Sequence, residues 1–146
     1  MVKFHQSLSE ESVHFRYFGS LSVEKRIAHE RLIRTCFNDY DREIALVAEL
    51  KKSEATPEIL GIGRLVRTRE LDDTEFAILI ADAWQGKGLG SALLKRLVET
   101  GRAEKVKRIM GLILGENRTM LEVCRNVGFK LQWQSDYGEW KAEIRL

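Results

Sequence analysis

The chain of 146 residues has few residues that form cross-links or rigid kinks, with one proline, two cysteines and three histidines. Cys36 and Cys124 are too few for a disulfide framework, so we expect reduced thiols in a cytoplasmic protein. The amino terminus lacks an apolar run long enough for a signal peptide, and no stretch of 18 consecutive apolar residues predicts a membrane-spanning helix. The histidines have no metal-ligand spacing with each other or with the cysteines, so we expect no metal.

The chain also lacks a strong charge of either sign. Its 24 basic and 22 acidic residues are interspersed and leave a net charge of +2, which argues against a dedicated nucleic-acid binder. Hydrophobic residues make up 44% of the chain, enough for the core of one domain at this length. We expect a loose leader over residues 1–12, one domain over residues 13–146, and neither a nucleic-acid nor a membrane partner.

Hydrophobic periodicity predicts an α/β (α+β) fold with a mixed sheet of about six to seven strands and helices on its faces. Residues 13–18 alternate apolar and polar, which indicates a half-buried strand, and Ser22 can cap a helix that begins at Val23 and reaches Phe37. The other predicted strands are 43–49, 59–67, 76–81, 108–114, 130–134 and 140–145. Helices are predicted from Gly88 to about Lys105 and from Asn117, with Gly128 at the carboxyl end of the second.

Three glycines at alternate positions, Gly86, Gly88 and Gly90, stand where a predicted central strand is followed by a helix. Their backbone N–H groups can converge on an anion, and the positive end of the helix macrodipole adds attraction, as does Lys87. The spacing fits neither a P-loop nor a dinucleotide fingerprint. A diphosphate is the natural ligand, and a purely structural glycine turn is the alternative.

Two segments carry a resemblance to a known family. Residues 85–90, Gln-Gly-Lys-Gly-Leu-Gly, match the Q/R-x-x-G-x-G/A signature of the GNAT superfamily of N-acetyltransferases, and residues 117–129 resemble its second signature, which ends in Gly-Phe. Residues 38–48 and 75–82 look like the GNAT domain of bacterial Pat-type protein lysine acetyltransferases. The resemblance implies a GNAT fold and transfer of an acetyl group from the co-substrate acetyl-CoA to an amine.

Within that resemblance, the acceptor expected first is a protein lysine, for instance of an acyl-CoA synthetase. A small-molecule or antibiotic amine is the alternative, and a third possibility is a regulatory module that senses CoA without turnover. The resemblance also assigns residues by position. The pantetheine arm and the thioester would meet the backbone of Ile78, Leu79 and Ile80, and the CoA arm would meet Asn117. The pyrophosphate would lie among Gln85, Gly86, Lys87, Gly88, Leu89, Gly90 and Ser91.

Glu75 is the candidate general base, because it begins an otherwise apolar strand where partial burial would raise its pKa. It also matches a common position of the family's catalytic glutamate, ten residues before Gln85; a solvated carboxylate at a strand end is the alternative. Cys124 stands where many GNAT enzymes have a tyrosine that protonates the leaving thiolate, and we expect it to act as a small buried hydrophobe. The general acid therefore stays open, with Tyr40 and Tyr137 as alternatives.

Overall fold

The computed structural model describes residues 1–19, 21–36, 39, 41–52, 56–68 and 73–146, without the side chains of 34 and 35. The helices are α1 (Val2–Gln6), α2 (Glu10–Tyr17), α3 (Val23–Ile27), α4 (His29–Cys36), α5 (Leu89–Ala103) and α6 (Arg118–Val127). The strands are β1 (Glu43–Leu50), β2 (Glu58–Arg67), β3 (Asp73–Ile80), β4 (Arg108–Leu114), β5 (Lys130–Gln134) and β6 (Glu139–Arg145), and a short 3₁₀ turn spans Asp82–Trp84. None of the helices described is long and apolar enough to cross a membrane.

The six strands form one mixed sheet in the order β1-β2-β3-β4-β6-β5. The first three strands form an antiparallel meander, and β5 and β6 form a hairpin. Among the strands described, only β3 and β4 pair in parallel. The mixed α/β sheet expected from the sequence is confirmed.

The two faces of the sheet carry separate apolar clusters. Alternate residues of a strand point to opposite faces, so Leu65 and Phe76 pack with α5 and α6, whereas Ile62 and Leu79 pack with the amino-terminal helices. Leu97 in α5 is fully buried, and burying such a side chain contributes about 2 kcal/mol. The sheet is therefore anchored by helices on both faces, and the line between β3 and β4 lies in the middle.

Residues 13–18 are not a strand, and the segment before them is not a loose leader. Helix α2 begins after Ser9, whose Oγ accepts a hydrogen bond from the backbone N–H of Ser12 at 3.1 Å. That cap and the two glutamates in the first turn stabilise a helix. The short alternation of apolar and polar residues that indicated a strand is a weaker signal. Phe4 and Leu8 are 4% and 8% exposed and join the apolar cluster of this face, so residues 1–12 belong to the packed fold.

The helix predicted from Val23 is two helices. Ser22 caps the first as predicted, accepting a hydrogen bond from the backbone N–H of Lys25 at 3.4 Å. The chain then turns at Ala28, whose ψ of 132° is extended rather than helical, and α4 follows. The predicted end at Phe37 lies outside the described residues.

The predicted elements of the carboxyl-terminal half are confirmed. Strand β4 has the predicted bounds, and α6 begins after Asn117, whose side chain accepts a hydrogen bond from the backbone N–H of Met120 at 3.1 Å. Gly128 ends that helix with a φ of 105°, a left-handed conformation that glycine adopts without strain.

Candidate active site

The candidate site lies where β3 and β4 separate. The two strands pair over three residue pairs only, from Asp73 with Arg108 to Glu75 with Met110, although β3 continues to Ile80. The ring of Phe76 fills the inner end of the gap. It lies so close to Gly111 of β4 that a Cβ atom on this glycine would be 2.5 Å from the ring. Beyond Glu75 the strands open like a wedge, so backbone groups of β3 face a cavity instead of a neighbouring strand.

A cleft of about 980 Å³ occupies this wedge. Its walls are α2, the second half of β3, the glycine turn with the start of α5, and the start of α6. Of the residues assigned from the sequence, the following line it: Glu75, Ile78, Leu79, Ile80, Gln85, Gly86, Gly88, Gly90, Ser91 and Asn117. The fold thus brings most of the predicted site residues into one cavity.

The glycine turn has the conformation and the open space that an anion requires. Gly86 and Gly88 have φ values of 69° and 82°, and a Cβ atom on either would meet no other atom within 4 Å. Gly88 precedes α5 without a side-chain cap, and the first turn of α5 has no acidic residue. The first N–H groups of the helix are therefore available to a negatively charged group such as a diphosphate.

Two residues of the predicted phosphate site do not line the cleft. The Lys87 ammonium lies 4.9 Å from the centroid of the Trp84 ring, in a cation–π contact. Leu89 is half-buried and packs toward the sheet, where its Cδ2 would lie 3.7 Å from a Cβ atom on Gly61. Their side chains therefore have structural contacts, and only their backbone belongs to the turn.

Gln85 has a role that its sequence position did not reveal. Its Nε2 donates a hydrogen bond to Ser12 Oγ at 2.8 Å and another to the backbone oxygen of Ile80 at 3.1 Å. Ser12 Oγ in turn donates to Asp82 Oδ1 at 3.1 Å, and the backbone N–H of Ser9 donates to the same oxygen. Burial raises the pKa of Asp82, but these hydrogen bonds outweigh it and leave that pKa below its ordinary value. The network joins α2 to the glycine turn.

Glu75 lies at the inner end of the wedge, and its environment differs from the expected one. It is the third residue of β3, not the first, and its side chain is exposed toward the cleft rather than partly buried. The cause is the alternation of the strand, since its neighbours Thr74 and Phe76 are buried while Glu75 points to the other face. An exposed carboxylate in this position is accessible to an incoming amine.

Neither of the two described candidates for the general acid, Cys124 and Tyr137, lines the cleft. Cys124 is fully buried in the main core, and burial raises the pKa of its thiol to about 12, which fits the predicted role as a small hydrophobe. Tyr137 is 76% exposed in the turn between β5 and β6 and does not line the cleft. Tyr40 lies outside the described residues. Asn117 does line the cleft while it caps α6.

Helix α2 forms a wall of the cleft that the sequence did not predict. Ser12, Phe15, Arg16, Tyr17 and Phe18 all line the cleft. Burial lowers the pKa of the half-buried Arg16, with the charges of Arg64 and Arg31 acting in the same direction and Tyr17 and Glu75 against it. The sequence does contain a signal for this helix: a capping serine, Ser9, followed by two glutamates.

A sequence profile of the acetyltransferase (GNAT) domain family matches residues 2–130. The chain is 28% identical over 134 residues to the acetyltransferase PA5475 of Pseudomonas aeruginosa, a match that covers 92% of this chain and 70% of that protein. It is also 28% identical over 100 residues to an L-methionine sulfoximine/L-methionine sulfone acetyltransferase of the same organism, covering 62% of this chain. That second match spans 58% of the relative's own length.

Two solved structures of acetyltransferases are similar to this chain in fold. The GNAT domain of S. lividans PAT superposes with a TM-score of 0.84 and 25% identity, over 99% of this chain and 82% of that one. A spermidine N-acetyltransferase from Vibrio cholerae in complex with CoA and spermine superposes with a TM-score of 0.73 and 19% identity, over 99% of this chain and 89% of that one. The second likeness shows a shared fold.

Proposed function

Because the chain belongs to the acetyltransferase (GNAT) domain family, we propose that it transfers the acetyl group of acetyl-CoA to the side chain of a lysine on a protein. Acetyl-CoA-dependent N-acetyl transfer follows from the family, and the protein lysine is the further step. The likeness to the GNAT domain of S. lividans PAT, the nearer of the two structures in identity, supports that acceptor.

The observation that carries the proposal is the accessibility of Glu75 at the inner end of the wedge. Val66, its cross-strand partner, is 40% exposed, and Leu112 on the opposite side of the wedge is 39% exposed. Sites for small molecules bury most of the ligand's surface. An exposed base with exposed apolar side chains nearby suits a long lysine side chain presented by a larger partner, which would cover that apolar surface.

In the proposed reaction each part of the site has one task. A lysine amine has an ordinary pKa of about 10.4 and attacks only when neutral, so Glu75 accepts its proton, directly or through a water molecule. The backbone of Ile78 to Ile80 faces the wedge and pairs with the pantetheine arm and the thioester, and the glycine turn holds the diphosphate. Because Cys124 is buried, the departing thiolate takes its proton from solvent.

A small amine is the second candidate acceptor, and a specific observation favours it. The chain shares 28% identity with an L-methionine sulfoximine/L-methionine sulfone acetyltransferase, whose named acceptors are amino-acid derivatives. The cleft of about 980 Å³ has room for both an extended arm of the donor and a small acceptor.

An acceptor screen separates these candidates. The purified chain is incubated with acetyl-CoA and, in parallel, with acyl-CoA synthetases, lysine peptides, L-methionine sulfone and spermidine, while thiol release and acetyl-lysine are measured. We expect acetyl-lysine on a synthetase, with kcat/KM at least about tenfold above that of any free amine. Acetylation of free amines alone would overturn the lysine acceptor. Tight CoA binding without thiol release on any acceptor would indicate a CoA-sensing module.

Replacing Glu75 with Gln tests the general base. Because general base catalysis contributes about 10²- to 10⁴-fold, we expect kcat to fall by about that factor while acetyl-CoA binding, measured by calorimetry, stays the same. The matched control is Glu99→Gln on α5, whose exposed carboxylate pairs with Arg96 at 3.2 Å and does not line the cleft. An unchanged kcat in Glu75→Gln would remove Glu75 from this role.

A further inference from the structure

Three arginines of the amino-terminal helices form a cluster that the proposed chemistry does not use. The guanidinium carbons of Arg16 and Arg31 lie 5.0 and 5.2 Å from the centroid of the same ring, that of Tyr17. Arg26 in α3 is 3% exposed, and its Nε and Nη1 atoms make no hydrogen bond. Within the described part of the chain, none of the three has a carboxylate partner within 4 Å.

Among the described residues no carboxylate lies within ion-pair distance of these arginines, although Glu24 and Glu75 act on Arg26 and Arg16 from farther away. His5 lies among the same arginines, and burial together with the charges of Arg26 and Arg31 lowers its pKa to about 4. It is therefore neutral at physiological pH and adds no further positive charge to the cluster. Unpaired charges are costly in a partly buried site, and arginines remain protonated there. An anion that binds next to them would gain an interaction that the protein itself leaves unmade.

The cluster reaches the cleft through Arg16 and Tyr17. Arg16 and Tyr17 line the cleft, as does Glu75, whereas Arg31 contacts the Tyr17 ring from α4. Arg16 is close enough to Glu75 for that carboxylate to act on its pKa. A molecule that presents its amine to Glu75 therefore has Arg16 within the same cavity.

We propose that Arg16, supported by Arg31 and Arg26, forms a subsite that selects acceptors carrying a carboxylate close to the reacting amine. Guanidinium groups bind carboxylates through paired, charge-assisted hydrogen bonds. The inference rests on the proposed acetyl transfer, and the carboxylate has two sources: an acidic side chain beside a protein lysine, or the α-carboxylate of a free amino acid.

Matched acceptor pairs test the subsite. The first pair is two capped tripeptides with a central lysine, preceded by Glu in one and by Gln in the other. The second pair is L-methionine sulfone and its carboxamide. For the wild-type chain we expect kcat/KM for the carboxylate member to exceed that of the amide member by about tenfold, since a charge-assisted hydrogen bond discriminates at that order. The peptide pair reports a protein acceptor, and the second pair reports a free amino acid.

Variants then assign the preference to the cluster. We expect Arg16→Gln to bring the ratio of kcat/KM between the carboxylate and amide members to about one. Arg16→Lys should keep part of the wild-type ratio, and Arg31→Gln should lower the ratio less than Arg16→Gln does. Arg102→Gln is the control, because this exposed arginine on α5 does not line the cleft, and its ratio should equal that of the wild type. If Arg16→Gln does not fold, 0.5 M KCl added to the wild-type chain should lower the ratio instead.

The outcomes separate this inference from the acceptor proposed above. Acetylation of both peptides with a ratio near one, unchanged by Arg16→Gln, would leave the lysine acceptor standing and overturn the subsite. Acetylation of the amino-acid pair alone, with a preference that depends on Arg16, would overturn the lysine acceptor and support the subsite. If neither pair is acetylated, calorimetry of the two peptides in the presence of CoA decides, and equal affinities would overturn the subsite.

Discussion

The two long walls of the cleft are built in opposite ways. The wall proposed to hold the donor, called the donor wall, comprises β3, the glycine turn and the start of α5, which are continuous in sequence and offer mainly backbone groups. The wall proposed to meet the acceptor, called the acceptor wall, comprises side chains of α2 with support from α3 and α4, and it depends on burial of α1. Backbone N–H groups of a glycine turn can bind a diphosphate without regard to the rest of the molecule, whereas side chains from several helices can discriminate among acceptors. The proposed donor site is therefore set by local sequence, and the proposed acceptor site by tertiary packing.

The largest expected effect tests whether α1 is a packed part of the acceptor wall. His5 has a folded pKa of about 4 against an ordinary value of 6.5. Between these values the unfolded chain binds a proton that the folded chain does not, so stability falls as pH drops from about 6.5 to 4. We expect a loss of about 3 kcal/mol, measured by denaturant unfolding at pH 7 and pH 4, with most of this loss absent in His5→Gln.

The control for His5 is His29→Gln, since His29 is exposed at the start of α4. That variant should keep the acid loss of the wild-type chain. If His5→Gln and the wild-type chain lose stability equally over this range, α1 is not packed as described and does not support the acceptor wall.

The next effect concerns the donor wall alone. Gly88 has a φ of 82° and precedes α5, so Gly88→Ala is expected to cost about 1–2 kcal/mol of stability. It also places a methyl group beside the anion site, and we expect acetyl-CoA affinity to fall by about tenfold in calorimetry. The control is Gly19→Ala, because a Cβ atom there meets nothing within 4 Å and the glycine has no left-handed φ. Unchanged affinity in Gly88→Ala would place the diphosphate elsewhere.

The smallest effect concerns the link between the walls. Ser12→Ala removes the hydroxyl that accepts from Gln85 and donates to Asp82, a loss of about 1 kcal/mol. Because α2 carries Arg16, we expect KM for the acceptor to rise several-fold while KM for acetyl-CoA stays within about twofold. The control Ser7→Ala removes a hydroxyl that donates to the Phe4 oxygen at 2.8 Å and does not line the cleft, so both KM values should stay the same. Equal changes in both KM values for Ser12→Ala would mean that the walls do not act separately.

The sequence predicted the sheet well because its strands give strong local signals. Strands such as β4 are short apolar runs bounded by polar residues, and helices α5 and α6 carry apolar stripes with a glycine at one end. The prediction of a strand over residues 13–18 was wrong for a physical reason. Six alternating residues fit a strand and a helical turn almost equally, and the cap at Ser9 stabilises the helix. The exposure of Glu75 also escaped prediction, because it depends on which face of β3 the helices cover.

The sequence by itself determined the glycine turn that we propose as the donor site, because a left-handed glycine turn at the start of a helix needs no distant partner to form. It also determined the family through the segments 85–90 and 117–129, and the family profile confirms that resemblance. Only the tertiary structure decided the rest: the wedge that opens when β3 and β4 stop pairing, the link from Gln85 to Ser12, and the arginines gathered around Tyr17. These features join residues far apart in the chain, and no local pattern records such contacts.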